Sequence, residues 1–544
     1  MIRLVGYFCL CLIVAASGYA RDHDMKPRGK ATLFNNLGSH HHAVTTSSKE
    51  AQRFFDQGLT LCYAFNHPEA IRSFEEATRL DPNCAMAYWG IAFAHGANIN
   101  MPMSDESIPP ANAALKKAQS LATKVAKNEQ AYIAALSTRY TEKAVKDRAP
   151  LDRAFAAAMR DVAKNFPDDL DAATLFAEAM MNTMPWNYWA ADGQPRPGTD
   201  EVIQTLESVL KRNPNHPGAN HYYIHAVEAS PFPERGLAAA HRLRNLVPGA
   251  GHLVHMPSHI YLRVGMYHDA SVCNERAIAV DAEYVSRNQV TGIYPMMYLA
   301  HNIHFLSYST SMEGRSADSI REARAVADRV TKEVIDHMPM TQWIKATPLL
   351  VLARFGRWDQ ILREPAPDAG WLYVRAAWHY ARGLALIRQR KLNDAAREDD
   401  ALEKIVGNPD LEKLELPDFP GATSTRLARV VLAAELAGAR GDANARRRGL
   451  QEAIARQDKL PYMEPPFWYF PIRQLLGMAY LDAGQPDDAE RVYREDLKRN
   501  PENGWSLFGL LQSQRMQGKA SAETETRFRD AWKHADIVLT GSCF

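Results

Sequence analysis

One stretch, AQRFFDQGLTLCYAFNHPEAIRSFEEATRLDPNC at residues 51–84, limits the fold more than any other. Apolar and small residues recur at helical steps on either side of Asn66-His67-Pro68, and Asp81-Pro82 ends the second run. The pattern predicts two amphipathic helices joined by a short turn. A lone pair of this kind cannot bury its own apolar face, so it must stack on copies of itself. Copies are present. Residues 251–284 carry Gly265, Tyr267, Asp269, Ala270 and Ala277 at matching offsets, and residues 470–503 carry Leu476, Gly477, Tyr480, Gly484, Ala489, Tyr493 and Pro501. Another pair opens at Gly504, and weaker units fall near 85–127, 128–169, 170–216, 217–248, 298–333, 340–365, 370–405 and 424–455.

The 34-residue unit resembles the tetratricopeptide repeat (TPR) family. Phe54 stands at the first aromatic position, Gly58 where the two helices cross, Ala70, Phe74 and Ala77 at the packing positions, and Pro82 at the closing proline. Leu61 replaces the second aromatic. Phrases such as FNHPEAIRSFEEATRLDPNCAMAYWGIA are similar to a group of exported bacterial TPR proteins that carry no assigned activity. The resemblance implies an all-α, TPR-like α-solenoid: a right-handed superhelix whose concave groove is lined by the first helix of each pair. The expected division is a signal peptide at 1–20, an N-terminal extension at 21–50, hairpins at 51–216, 217–335 and 336–535, and a tail at 536–544. Loops at 96–110, 183–199 and 284–294 exceed what a plain hairpin needs and are candidate covers for a site.

The first twenty residues, MIRLVGYFCLCLIVAASGYA, have one Arg, an apolar run and a small-residue end, which predicts a secretory signal cleaved after Ala20. No later run is long enough to span a bilayer. The chain is therefore expected to be exported, periplasmic or secreted, and soluble. The net charge of +1 supplies no field to attract nucleic acid. Cys62, Cys84, Cys273 and Cys543 remain after cleavage, without a CxxC pair, and are expected mostly as small buried hydrophobes.

Histidine phase is the chemical signal. Nine of the nineteen histidines lie between 221 and 304. With Gly265 and Gly314 as turn glycines and Pro214 as a closing proline, His221, His225, His252, His255, His259, His301 and His304 share one face on three successive first helices. The TPR resemblance makes that face the groove. Helices packed about 8–10 Å apart let imidazoles converge on one metal at ~2.0–2.1 Å. Neutral imidazole suits Cu, Zn, Fe or Ni. Seven histidines exceed one coordination sphere, so some orient others, hold a second metal, or act as acids and bases. Glu228, one turn beyond His225, is the candidate catalytic group: a ligand, an orienter, or a base for metal-bound water. Pro257 interrupts the stripe; a helix beginning there leaves His252 and His255 on the entering loop. Arg263 is a candidate to receive an anionic substrate or pair with Glu228, and Trp186, Tyr188 and Trp189 are candidates to lid the groove. The His40–His42 tract reads as flexible and incidental; His95 reads as partly buried, and His67, His241 and His268 fall outside the face.

HExxH, GxSxG, GxxxxGK[ST] and GxGxxG after a strand are all missing, which disfavours zincin, α/β-hydrolase, nucleotide-hydrolysing and Rossmann redox chemistry. Two readings stand. One is a metalloprotein, an oxidase or hydrolase, whose groove histidines hold a transition metal. The other is a scaffold that binds a peptide or cell-envelope protein in the same groove.

Overall fold

The structure is a computed structural model that describes residues 30–290, 292, 294–416 and 419–544. The signal-peptide expectation lies outside these residues. Among them, the only strands are two-residue segments, Glu415–Leu416 and Phe419–Pro420, and no helix is long and apolar enough to cross a membrane. The fold is all-α, built from TPR-like helical hairpins, as the 34-residue pattern predicts.

The chain divides into two compact units. The first runs to Ile260 and takes in Glu275–Leu299; the second comprises Tyr261–Asn274 and Ala300–Phe544. In the first unit Lys49–Tyr63 packs on His67–Leu80, Ala85–Ala94 on Ile108–Leu121, Leu170–Asn182 on Thr199–Arg212, and Pro217–Val227 on Leu237–Leu246. In the second, Ala300–Met312 packs on Ser316–Arg329, Leu372–Arg388 on Leu392–Val406, Gly421–Ala439 on Ala443–Gln457, and Ile472–Asp482 on Pro486–Arg499.

The turn chemistry explains the hairpins. Asn66 caps the His67–Leu80 helix by accepting the Glu69 N–H on its side chain, with Pro68 in the first turn where a missing N–H costs nothing. Gly58 lets the helices close: a Cβ there would stand 2.6 Å from the Phe74 ring, and one at Gly90 on the following helix would meet the same ring at 2.6 Å. One aromatic thus fills the space that two glycines leave. The interlock returns in the second unit, where Tyr493 fills the space beside Gly477 and Gly509. Cys62, Cys84 and Cys273 are buried thiols, as expected, and Cys543 is partly exposed.

Candidate metal centre

Two elements of the first unit supply the histidines. The Pro217–Val227 helix is buried along its whole length, so His221 and His225 face neighbouring side chains rather than water. Its ring pair sits 4.8 Å apart, centre to centre, as an i,i+4 spacing requires. The second element is broken. Pro257 offers no N–H, and the chain forms a five-residue helix, Gly251–His255, then resumes at Pro257–Arg263. Across the break Met256 N–H reaches the His252 carbonyl at 3.0 Å, and His259 N–H reaches the Met256 carbonyl at 3.2 Å. His252 and His255 are therefore helical, which settles the Pro257 question against an entering loop.

Five histidines and Glu228 of this unit come together and are buried. All six side chains belong to residues no more than 4% exposed, so they are enclosed rather than spread on an open groove lining. Phe65 and Trp186 pack against the rings. Phe65 lies 4.6 Å from the His221 ring, 5.4 Å from His252 and 6.1 Å from His225. Trp186 meets His225 edge-on at 5.0 Å. Trp189 donates its indole N–H to the Ala226 carbonyl at 2.8 Å, tying the loop to the helix that carries His225. Tyr188 is buried. Phe65 and Trp186 both adopt left-handed backbone, φ 56° and 58°. That costs a bulky residue about 1–3 kcal/mol, and such strain gathers at functional sites.

Hydrogen bonds fix where His221 and His225 carry their protons. His221 Nδ1 lies 2.6 Å from the Tyr63 carbonyl, which only accepts, so Nδ1 is protonated and Nε2 carries a lone pair. His225 Nδ1 donates to Glu228 Oε1 at 2.8 Å, and His259 Nδ1 pairs with Glu228 Oε2 at 2.5 Å. His225 Nε2 is then a lone pair too. His252 Nε2 stands 3.1 Å from His221 Nε2 and so donates to it, which means His252 must carry its proton on Nδ1 when Nε2 takes an ion; His255 Nε2 stands 2.9 Å from His259 Nε2. Ligand nitrogens of His221, His225 and His252 all lie within 4.8 Å of one another. Nitrogens at ~2.0–2.1 Å from one ion stand roughly 3–3.5 Å apart, so the trio is close to ligand spacing.

Charge states agree with this geometry. Burial, reinforced by the neighbouring imidazoles, holds His221 and His252 well below the ordinary histidine range. Burial also lowers His225 against the pull of Glu228. Burial alone would raise Glu228, but the charge of His259 and hydrogen bonds from His225 and His259 win and hold it below the usual carboxylate range. Neutral His221, His225 and His252 beside an ionised carboxylate are the states a divalent cation needs. Glu228, the expected catalytic group, has one oxygen on each of two histidines. A carboxylate so held is a poor base and orients its partners instead.

The other predicted residues, His301, His304 and Arg263, belong to the second unit. His301 and His304 lie on Ala300–Met312 in the second unit. His304 is a core histidine there, 4.8 Å from Trp343 and 6.1 Å from Tyr469, with Nε2 3.1 Å from Thr347 Oγ1; burial lowers its pKa to about 3. His301 packs against Phe305 at 5.4 Å. Arg263 lies over the Tyr462 ring at 5.3 Å.

The His40–His42 tract is not flexible. His40 Nε2 and His42 Nδ1 bind the two oxygens of Asp171 at 3.0 and 2.8 Å, joined by Tyr63 OH at 2.5 Å and His216 Nε2 at 3.2 Å. This second cluster has a different tautomer logic. His216 Nδ1 accepts the Ala219 N–H at 3.2 Å, so its proton sits on Nε2 and points at Asp171. The His216 lone pair is spent on a helix cap, and the cluster is an ionic staple. No local spacing announces it; Asp171 joins residues 108 and 131 positions away.

No family model and no curated protein matches this chain. Among solved structures, human IFIT1 as a dimer with m7Gppp-AAAA is similar at 11% identity and TM-score 0.33, covering 91% of this chain and 92% of that one. Yeast Tom70 is similar at 12% identity and TM-score 0.29, covering 90% and 93%. The TPR domain of P58(IPK) is similar at 14% identity and TM-score 0.21, covering 86% and 98%. Scores this low carry nothing about ligands. On its own helix pairing, the chain is an all-α protein of TPR-like hairpins.

Proposed function

We propose that the first unit is a metalloprotein domain that holds one transition-metal ion through Nε2 of His221, His225 and His252. The observation that carries this reading is His225 Nε2. It is buried and has no hydrogen-bond partner, while Nδ1 of the same ring is fixed by Glu228. A buried lone pair left without a donor costs about 1–3 kcal/mol unless a cation takes it. The carboxylate–histidine pairing also suits a metal ligand. His255 and His259 complete the wall, with Glu228 tying His259 to His225.

Between the two chemistries open for such a site, this arrangement supports a redox one. Water activation needs a free base, and both Glu228 oxygens are engaged. An enclosed all-imidazole set suits copper or iron and admits electrons and small molecules before large substrates. Export to the periplasm or beyond is part of the proposal and rests on the N-terminal run alone. The scaffold reading is carried by no comparable feature.

The test is elemental analysis of the purified full chain after dialysis. About one equivalent of copper or iron is expected. His225→Ala and His252→Ala should each abolish retention with helix content unchanged, and His534→Ala should not. Chain that retains no metal and melts at the same temperature with added Cu or Zn would sink the proposal. Glu228→Gln keeps the shape but cannot accept from two N–H groups with a full charge. Its metal affinity should fall 10–100-fold in a competition titration with a chelator of known strength.

A further inference from the structure

A line of phenols leads away from the proposed metal centre. Tyr298 meets the His252 ring edge-on at 4.8 Å. Tyr294 lies 5.1 Å from Tyr298, and Tyr284 lies 5.5 Å from Tyr294. All three belong to the first unit and are no more than 9% exposed. The line ends at a small cleft lined by Phe34, Asn66, Gly251, Asp281, Tyr284 and Tyr294. Two of the phenols have a carboxylate to receive a proton. Tyr294 OH donates to Asp281 Oδ1 at 2.9 Å, and Tyr284 OH donates to Glu69 Oε2 at 3.2 Å.

Ordinary packing explains stacked rings, and Glu69 is also paired with Arg72 at 2.7 Å. Packing does not explain why two phenols of the line each face a buried carboxylate, since a carboxylate in the interior costs energy to desolvate. A phenol gives up an electron far more readily when its proton has somewhere to go in the same step. Ring contacts near 5 Å also keep each electron step short.

We propose that Tyr298, Tyr294 and Tyr284 form an electron relay between the metal centre and a phenol-type reductant at the cleft. The relay rests on the metal reading above, with a redox-active ion in the site and a peroxide as the oxidant. The balance is simple. Hydrogen peroxide reduced at the centre takes two electrons and two protons, its O–O bond breaks, and two waters form. The electrons come from two tyrosine phenols. Each phenol loses one proton as it loses its electron: Tyr294 to Asp281 and Tyr284 to Glu69. Two neutral tyrosyl radicals result, and these two protons replace the pair drawn in at the centre. A hydroquinone at the cleft then gives two electrons and two protons and becomes a quinone, which restores both phenols. The sum is peroxide plus hydroquinone to two waters plus quinone. The enclosed centre needs no direct contact with the organic reductant.

The experiment loads the full chain with cupric chloride, removes excess by dialysis, and freezes it milliseconds to seconds after adding hydrogen peroxide. Electron paramagnetic resonance should show an organic radical of tyrosyl type, absent from the unloaded chain, and hydroquinone should quench it. Tyr294→Phe should cut both the radical and the rate of peroxide-dependent hydroquinone oxidation at least tenfold while copper content stays the same. Asp281→Asn retains the phenol and removes its proton acceptor, and should lower the radical yield likewise. Tyr373→Phe, a buried tyrosine of the second unit, should change neither. Copper retained with no organic radical, or Tyr294→Phe oxidising hydroquinone at the parent rate, overturns the relay and leaves the metal centre standing. Failure to retain copper overturns both.

Discussion

Asp171→Ala is expected to lower the stability of the first unit by about 3–5 kcal/mol, the usual result of removing one partner from a buried ion pair. Asp171 is 6% exposed and accepts from Tyr63, His40, His42 and His216. Without it, buried donors on four residues lose their acceptor together. The pH profile gives the argument a second edge. Burial alone would raise the Asp171 pKa, but the charge of His40 and hydrogen bonds from His216, His40 and His42 hold it well below the carboxylate range. Its contribution is present above the unfolded value of 3.8 and is lost as pH falls through the folded one. His42 moves the other way. Burial lowers it, yet Asp171, by hydrogen bond and by charge, raises it from 6.5 to about 9 with help from Asp169 and Asp56. That contribution is complete below 6.5 and is lost as pH rises through about 9. Urea melts of the parent chain should therefore weaken between pH 6.5 and 9. His42→Gln should remove this alkaline limb and leave the acid limb, and Asp171→Ala should flatten both. A parent chain equally stable at pH 6.5 and 9 would sink the staple. Because Tyr63 holds Asp171 with its hydroxyl and His221 with its carbonyl, Asp171→Ala should also weaken metal binding at the proposed centre.

What the sequence made legible follows from helical phase. Gly58, Ala70, Phe74 and Ala77 predicted the hairpin, and all four are buried where the pattern put them. His221 and His225, and likewise His252, His255 and His259, converge because i,i+3 and i,i+4 steps fix a common face. Phase says which way a side chain points and not what it meets. His304 shares the phase of His255 yet faces Trp343 and Tyr469. The missed residues come from far along the chain. Tyr63 reaches His221 across 158 positions, and its own spacing carries no chemical signature. Phe65 packs on the centre through left-handed backbone, which residue type does not forecast, whereas Trp186 was a candidate lid from the start. Glu228 was visible as a carboxylate one turn from His225, but its two-sided engagement required His259 to be placed.

Phe74→Ala should separate the scaffold from the chemistry. The ring is 0% exposed and lies against Gly58 on one helix and Gly90 on another, with Phe55 5.5 Å away. Deleting it opens a cavity bordered by two residues that have no side chain to lean in. Such a site collapses poorly, so the loss should reach about 3–5 kcal/mol. Gly58→Ala attacks the same contact from the opposite side, pressing a methyl against the ring at 2.6 Å, and should cost about 1–3 kcal/mol. Calorimetry or urea titration measures both. Neither change touches a histidine of the centre, so folded Phe74→Ala protein, isolated at low temperature, should still hold its metal at the parent stoichiometry. Glu228→Gln should do the reverse, weakening metal while the metal-free chain melts close to the parent. If Phe74→Ala instead lost metal in proportion to His225→Ala with its helices intact, the histidines would be responding to packing strain. The placement of the imidazoles would then not be what selects the ion.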